Sequence, residues 1–491
     1  MSERLSARAL VDLVFDAGSW RSWDVPPRRD GVSESYAADL AAAAERSGTD
    51  ESVITGEALL RGRRVAVVVS EFGFLAGSIG RATADRLIAA IRRATAEGLP
   101  LLAAPASGGT RMQEGTPAFL QMIRITEAVT AHKARHLPYL VYLRHPTTGG
   151  VMASWGSLGH VTVAEPGALL GFLGPRVYEA LYAEPFPTGV QVAENLFDRG
   201  LVDAVVPPEQ IGDIVHRALE ILAARALPLP EVPEPAAATL TEVDTWDAVT
   251  RSRRTERPGV RRLLRFGATD VVPLHGTGQG EQDPALVLAL ASFGSVPCVF
   301  LGQDRRGQTS EHQMGPQALR VAQRGMRLAT ELGLPLVTVI DTMGAALSAA
   351  AENGGMAGEI ARTLAELVNL PVPTISVMLG EGNGGGALAL IPADRVVAAQ
   401  HAWLSPLPPE GASAIVHRDL EHAPEMARAQ RVLALDMHAR GAVDRIIPEH
   451  PDAADEPEEF CRRVAEVLTY ELAALRRSGP GSPAARAGRY T

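Results

Sequence analysis

At 491 residues the chain has room for roughly two to four domains with sizeable cores, and 46% hydrophobic with 21% charged residues is an ordinary globular balance. A formal net charge of −10 argues against a dedicated nucleic-acid or anionic-membrane surface. No apolar run reaches a membrane span, MSERLSARAL lacks a signal-peptide core, and Cys298 and Cys461 make neither a disulfide framework nor a CxxC zinc site, so a cytoplasmic protein is expected.

One residue count restricts the chemistry further. Lys133 is the only lysine; every other member of the 47 Lys+Arg is arginine. A phosphate-loop, Schiff-base or biotin-carrying lysine would have to be this one. It lies in EAVTAHKARH, away from any glycine-rich turn, and reads as part of a solvated helix face. The chain therefore carries neither its own biotin nor a Walker-type ATP site, and a swinging cofactor must arrive on another protein.

Residues 1–50 form a polar, helix-prone extension that includes AADLAAAAERSG. Two β-type runs follow from Ile54, the second being Arg64 to Ser70, then a glycine-rich loop and an amphipathic helix from Thr83 to Glu97 closed by Gly98. Leu99 to Ala104 reads as a buried strand ending in the glycine turn SGGTRMQEG, Ser107 to Gly115. A long helix from Pro117 to His136 leads to the apolar strand Tyr139 to Leu143. Pro146, Thr147, Thr148, Gly149 and Gly150 then turn the chain into a small-residue segment, Val151 to Leu158, predicted as a closely packed helix. Paired glycines at such a turn let the backbone approach a ligand with free N–H groups and cradle an enolate or thioester oxygen. A tight packing turn in a sheet is the competing reading.

Strand–helix alternation of this kind predicts an α/β fold with largely parallel strands, whose ligands gather at the strands' carboxyl ends. The proline-rich, acidic stretch 227–245 is predicted as a linker between a domain at 51–226 and a second at 246–477. The second domain repeats the pattern: strands near Ala285–Phe293, Val296–Leu301, Leu334–Ile340 and Thr374–Leu379, with helices Gln317–Leu332 and Gly358–Leu367. The tail 478–491, SGPGSPAARAGRYT, is expected to be disordered. The halves also share landmarks. Gly98-Leu99-Pro100 matches Gly333-Leu334-Pro335, Pro138 matches Pro373, and Gly149 matches Gly384, all at an offset of 235. RGLVDAVVP at Arg199 matches RGAVDRIIP at Arg440 at an offset of 241. The chain reads as two copies of one fold, each with a glycine turn at the same place.

The strings SGGTRMQEG, PTTGGVMAS and VAEPGALLGFLGPRV in the first half, and IDTMGA, MLGEGNGGGALAL, ADRVV and PPEGASAI in the second, resemble the carboxyltransferase component of biotin-dependent acyl-CoA carboxylases, beta-subunit-like and alpha-subunit-like respectively. The resemblance covers roughly 50–210 and 295–450. It implies two tandem crotonase-like (ClpP/crotonase) domains, each a layered β-sheet spiral with flanking helices. It also implies transfer of CO2 from carboxybiotin, held on a separate biotin carboxyl carrier protein that a separate biotin carboxylase charges, to the α-carbon of a short acyl-CoA. Acetyl-CoA giving malonyl-CoA is the reading favoured. By resemblance Gly149 and Gly150 serve the thioester oxygen, and Gly386 and Ala387 serve biotin, with Gly385 as the alternative and Gly384 in the same binding turn. Ser107, Gly108 and Gly109 shape the CoA channel. Arg111 and Glu114 either position substrate or hold the loop in a salt bridge. No metal is expected, since the four-cysteine zinc ribbon frequent in the beta family is missing. A homodimer or larger even assembly is implied.

Two departures fall in the second half. The alpha-type IDTPGAYPG is here IDTMGAALS, Asp341 to Ser348 being DTMGAALS, and a usual GQ pair is replaced by Gly354-Gly355-Met356. Two other readings stand beside the favoured one: a biotin-independent malonyl-thioester decarboxylase, and a non-catalytic acyl-CoA-binding subunit.

Overall fold

The computed structural model describes residues 4–229, 231–236, 240–309 and 312–490. The chain divides into two compact units, Met1–Leu219 with Gly278–Gly280, and Glu220–Thr277 with Glu281–Thr491. The division falls inside the helix Pro208–Ala223, ahead of the stretch predicted as a linker. Of that stretch, residues 230 and 237–239 lie outside the described residues, as do 1–3 of the extension and 491 of the tail.

In the first unit the strands are β1 (Arg21–Ser22), β2 (Val53–Leu60), β3 (Arg63–Ser70), β4 (Leu101–Ala104), β5 (Tyr139–Leu143), β6 (Thr147–Thr148), β7 (Val161–Ala164), β8 (Leu170–Gly171) and β9 (Ala204–Val205). Seven form one sheet in the order β1-β2-β3-β4-β5-β7-β9, antiparallel at its first two joints and parallel thereafter. β6 and β8 pair separately in parallel. β4 and β5 are buried at every residue, as continuous apolar runs at the centre of a parallel sheet must be. The helix Arg81–Ala96 packs against Gln121–Ala134 over the core that contains Leu87, Ile91, Ile125 and Tyr139. The long helix predicted from Pro117 is two pieces, Gly115–Phe119 and Gln121–Ala134, joined at Leu120.

The second unit contains β10 (Asp270–Leu274), β11 (Leu286–Phe293), β12 (Val296–Gln303), β13 (Leu336–Thr342), β14 (Thr374–Asn383), β15 (Arg395–Ala399), β16 (Trp403–Ser405) and β17 (Arg445–Ile447). Its sheet runs β10-β11-β12-β13-β14-β15-β17, with the same antiparallel start and parallel remainder, and β16 pairs with the end of β14. The repeat extends to single hydrogen bonds. Pro138 carbonyl accepts from Leu101 N–H, and Pro373 carbonyl from Leu336 N–H, each at 2.9 Å. Gly98 and Gly333 both end helices with positive φ, at 67° and 61°. Asp203 accepts from Thr162 N–H at 2.8 Å, and Asp444 from Val396 N–H at 2.7 Å.

The tail departs from expectation. Pro483–Gly488 is a helix capped by Ser482, and its Arg486 is 1% exposed. The guanidinium pairs with Asp394 at 2.7 Å and donates to the carbonyls of Leu370 and Val372. A low-complexity composition does not exclude order when one buried cation finds a carboxylate and the carbonyls at a helix end. Among the described residues no helix is long and apolar enough to cross a membrane.

Candidate active site

The turn after β5 is assembled by backbone bonds to two distant segments. Ser107 N–H donates to Pro146 carbonyl at 2.6 Å, and Thr148 N–H returns a bond to Ser107 carbonyl at 2.9 Å. Gly149 N–H donates to Phe172 carbonyl at 3.0 Å. Gly149 has φ of 61°, and a Cβ there would stand 3.3 Å from the Cα of Gly109, itself at φ of 106°. Both positions need glycine, one for the left-handed turn and one for the close passage of two backbones. The structure thus brings Ser107, Gly108, Gly109, Gly149 and Gly150 together, as a pair of glycine loops at the carboxyl ends of β4 and β5.

The helix here is Gly149–Met152, capped by Thr148, and not the longer Val151–Leu158 predicted from small residues. Ser154 breaks it at φ −144° and ψ −115°, before a 3-10 turn at Trp155–Ser157. Its hydroxyl donates to Gly150 carbonyl at 2.5 Å, a side-chain bond that competes with helix propagation. The first intrahelical donor is Met152, so the amides of Gly149, Gly150 and Val151 precede the ladder. Gly149's amide is already taken by Phe172. The other two amides ahead of the ladder are those of Gly150 and Val151, one residue on from the expected pair.

The second unit builds the same object. β14 ends at Asn383, which caps the helix Gly384–Leu388, and Gly384 repeats the left-handed turn at φ of 63°. Gly344, at φ of 119°, takes the place of Gly109, and its N–H donates to Thr342 Oγ1 at 3.0 Å as that of Gly109 does to Ser107 Oγ at 3.0 Å. Counting along the helix, the amides of Gly384, Gly385 and Gly386 precede the ladder, whereas that of Ala387 is the first to bond back, to Asn383. The amide of Ala387 thus belongs to the helix ladder, whereas those of Gly385, the alternative, and Gly386 precede it. The offset of 235 sets Gly150 against Gly385 and Val151 against Gly386. A Cβ at Gly385 would lie 2.7 Å from Ile360 Cδ1, and one at Gly386 2.3 Å from Met314 Cε.

Gln303, which sequence reading passed over, ties this turn from below. Its Nε2 donates to Gly386 carbonyl at 2.8 Å, and its Oε1 accepts from Asp341 N–H at 3.2 Å. Asn383 donates to Glu381 at 2.7 Å, and Arg253 links Glu381 at 3.4 Å to Glu410 at 2.6 Å. Burial raises the pKa of Glu381, with Arg253 opposing, and burial likewise raises that of Asp341. Glu410 is engaged with Arg253, and Glu165 accepts from His145 N–H at 2.8 Å.

Of the two readings of Arg111, the structure has the salt bridge. It is 1% exposed and ion-paired to Glu51 at 2.5 Å, with further bonds to Ser52, Ser78 and Thr83. No donor is left for a substrate, so it holds the loop. His401, Glu449 and Asp452 converge like metal ligands among the described residues. Arg257 occupies that position, reaching both Glu449 oxygens at 2.6 Å. Glu449's burial is outweighed by Arg257, and its carboxyl is held far below the usual range.

A family model described as the carboxyl transferase domain matches residues 2–480. The chain belongs to the carboxyl transferase family. It is 59% identical over 490 residues, 99% of this chain and 98% of the other, to a Mycobacterium tuberculosis protein named "Probable biotin-dependent acyl-coenzyme A carboxylase beta3 subunit". It is 36% identical over 497 residues to the acetyl-coenzyme A carboxylase carboxyl transferase subunits beta/alpha of Salinispora arenicola, covering 96% of this chain and 87% of that one. Its fold matches a transcarboxylase 12S structure, solved as a hexamer with methylmalonyl-coenzyme A bound, at a TM-score of 0.74 and 20% identity over 98% of this chain and 91% of that one. The fold is that of crotonase-like carboxyltransferases with two domains. Within this carboxyltransferase the duplicated glycine turns each stand at the end of a parallel strand, with a left-handed glycine at the start of a short helix.

Proposed function

We propose that the chain is the carboxyltransferase component of a biotin-dependent acyl-CoA carboxylase, converting a short acyl-CoA, foremost acetyl-CoA, to its α-carboxylated product. The observation that carries this reading is the twinned helix start: Gly150 and Val151 in one unit, Gly385 and Gly386 in the other, each behind a left-handed glycine. Carboxylation of a thioester develops negative charge on two oxygens, the thioester's as the enolate forms and the ureido oxygen of biotin. Two fixed pairs of backbone donors are what such a reaction needs, and no side-chain base is required. Gly385 and Gly386 fit a planar ureido group, because any side chain there would strike Ile360 or Met314. Carboxybiotin, on a separate carrier, supplies the CO2 and the nitrogen that takes the α-proton.

The chain's own residues do the rest. Gly150 and Val151 hold the thioester oxygen, and Gly149 and Gly109 leave room for the backbone to approach. Gln303 fixes the carbonyl of Gly386 and so the pitch of the second unit's turn. Exposed apolar side chains flank both turns, Met112, Phe119 and Ile123 in the first unit and Leu347, Leu388 and Leu407 in the second, and a second copy of the chain covers them in a homodimer or larger even assembly. We place the enzyme in the cytoplasm with its biotin carboxylase and carrier.

Purified protein supplied with carboxylated carrier and acetyl-, propionyl- or long-chain acyl-CoA tests the reading. The expected result is carrier-dependent carboxyl transfer with acetyl-CoA the preferred acceptor. Higher kcat/KM for another acyl chain would replace the acetyl assignment. Release of CO2 from malonyl-CoA without biotin would overturn the carboxyltransferase itself in favour of a decarboxylase.

A further inference from the structure

The N-terminal segment has no role in the chemistry above, yet it reaches both loops on which the first glycine turn stands. We propose that Tyr36 is a positioning residue for acyl-CoA: its hydroxyl holds the loop Ser107–Gly115 in register against Gly149 and Gly150. This rests on the reading of that turn as the thioester site.

Tyr36 lies in the first turn of the helix Glu34–Ser47, capped by Ser33, and its ring packs with Leu40, Ala43 and Phe74. The hydroxyl donates to Glu114 Oε1 at 2.6 Å and accepts from Arg111 Nη1 at 3.3 Å. One oxygen thus joins the two charged side chains of the loop. Burial, and then the bond to Glu114, raise its pKa to about 12, so it stays a donor at every working pH. The second oxygen of Glu114 accepts from Arg81 N–H at 2.7 Å, anchoring the same loop to the start of the helix Arg81–Ala96.

From Arg111 the restraint passes along the backbone to the turn. Arg111 N–H donates to Ile79 carbonyl at 3.0 Å, and Ile79 N–H donates to Gly109 carbonyl at 2.9 Å. Thr110, between them, places its hydroxyl oxygen 3.3 Å from the Cβ position of Gly150. A shift of Arg111 therefore moves Gly109 and Thr110 at the point where they touch Gly149 and Gly150. The segment grips the other loop too. Ala7 N–H donates to Glu71 at 2.7 Å, and the buried Arg144, which lies just before the turn, donates to the carbonyls of Leu5 and Ser70.

Tyr36→Phe keeps the ring packing and removes only the shared oxygen. Full-length wild type and variant are titrated with acetyl-CoA by calorimetry, and carboxyl transfer is measured against acetyl-CoA and against carboxylated carrier. The expected result is a rise of about ten-fold in both Kd and KM for acetyl-CoA, the loss of one bond to a charged group. The KM for carrier stays unchanged and the thermal midpoint moves by a few degrees at most. Glu114→Ala, which removes the acceptor of the hydroxyl, raises Kd and KM for acetyl-CoA in the same direction as Tyr36→Phe. An unchanged acetyl-CoA Kd in Tyr36→Phe, or an equal rise in KM for both substrates, overturns the positioning role. If wild type itself fails to bind acetyl-CoA, the thioester-site reading falls, and this inference with it.

Discussion

Gly150→Val separates the turn's chemical role from its structural one. Gly150 has no left-handed φ, so its backbone accepts any residue. An added Cβ meets Thr110 Oγ1 at 3.3 Å and Met122 at 3.4 Å (Cγ) and 3.6 Å (Sδ), contacts that a flexible methionine can relieve by a few tenths of an ångström. Overpacking of this size costs about 1–2 kcal/mol of stability. The two methyl groups of valine, however, stand over the first turn where the amides of Gly150 and Val151 must come within about 3 Å of an oxygen. Loss of one such donor costs roughly 10²–10³ in kcat, about 3–4 kcal/mol. Initial-rate kinetics with acetyl-CoA and carboxylated carrier, beside a thermal unfolding curve, measure both. Gly149→Ala is the control: its φ of 61° and a Cβ 3.3 Å from Gly109 Cα cost about 1–2 kcal/mol in stability, through backbone strain. A folded Gly150→Val enzyme that turns over within three-fold of wild type would refute the donor assignment.

Arg111→Met leaves Glu51, itself 1% exposed, buried without its cation, and should cost about 3–5 kcal/mol in denaturant unfolding; an unchanged midpoint would remove Arg111 from the loop's framework. Removing residues 479–491 strands Asp394 and the carbonyls of Leu370 and Val372, and should lower the unfolding midpoint measurably, whereas a dispensable tail would leave it in place. Burial holds His132 neutral, with its pKa lowered to about 4, its Nε2 donating to Pro138 carbonyl and its Nδ1 accepting from Thr95. The unfolded imidazole takes up a proton near pH 6.5 and the folded one does not, so stability is full above that pH and falls by about 3 kcal/mol as pH drops toward 4. His132→Gln should flatten this part of the stability-against-pH curve; parallel curves would contradict the assignment. Gln303→Leu leaves Gly386 carbonyl and Asp341 N–H without their shared partner, and should raise KM for carboxylated carrier more than KM for acetyl-CoA; the reverse split would unseat it from the biotin-side turn.

Much of the architecture was legible because it is written in local patterns. Apolar runs such as Tyr139–Leu143 coincide with the buried strand to the residue, since a central parallel strand has no polar face to blur its ends. The offset of 235 between the halves survives as matching hydrogen bonds at Pro138 and Pro373 and matching left-handed glycines at Gly149 and Gly384. Short elements were less legible. The helix at Gly149 is four residues long, and its end is set by a serine hydroxyl rather than by any periodicity.

By itself the sequence determined the duplication, the place of the two glycine turns, and the absence of a second lysine that would carry a cofactor. Only the tertiary structure decided which amides precede each helix ladder. The partner of Gly149 is Phe172, and a helix's first free amide depends on where its ladder begins, which no spacing of glycines reveals. It likewise decided that Arg111 is a keystone, because the residues that bury and pair it, Glu51 and Tyr36, stand 60 and 75 positions away. A local pattern shows which residue types are available at a turn, whereas the partner that each donor or charge meets is set by segments folded against it from elsewhere in the chain.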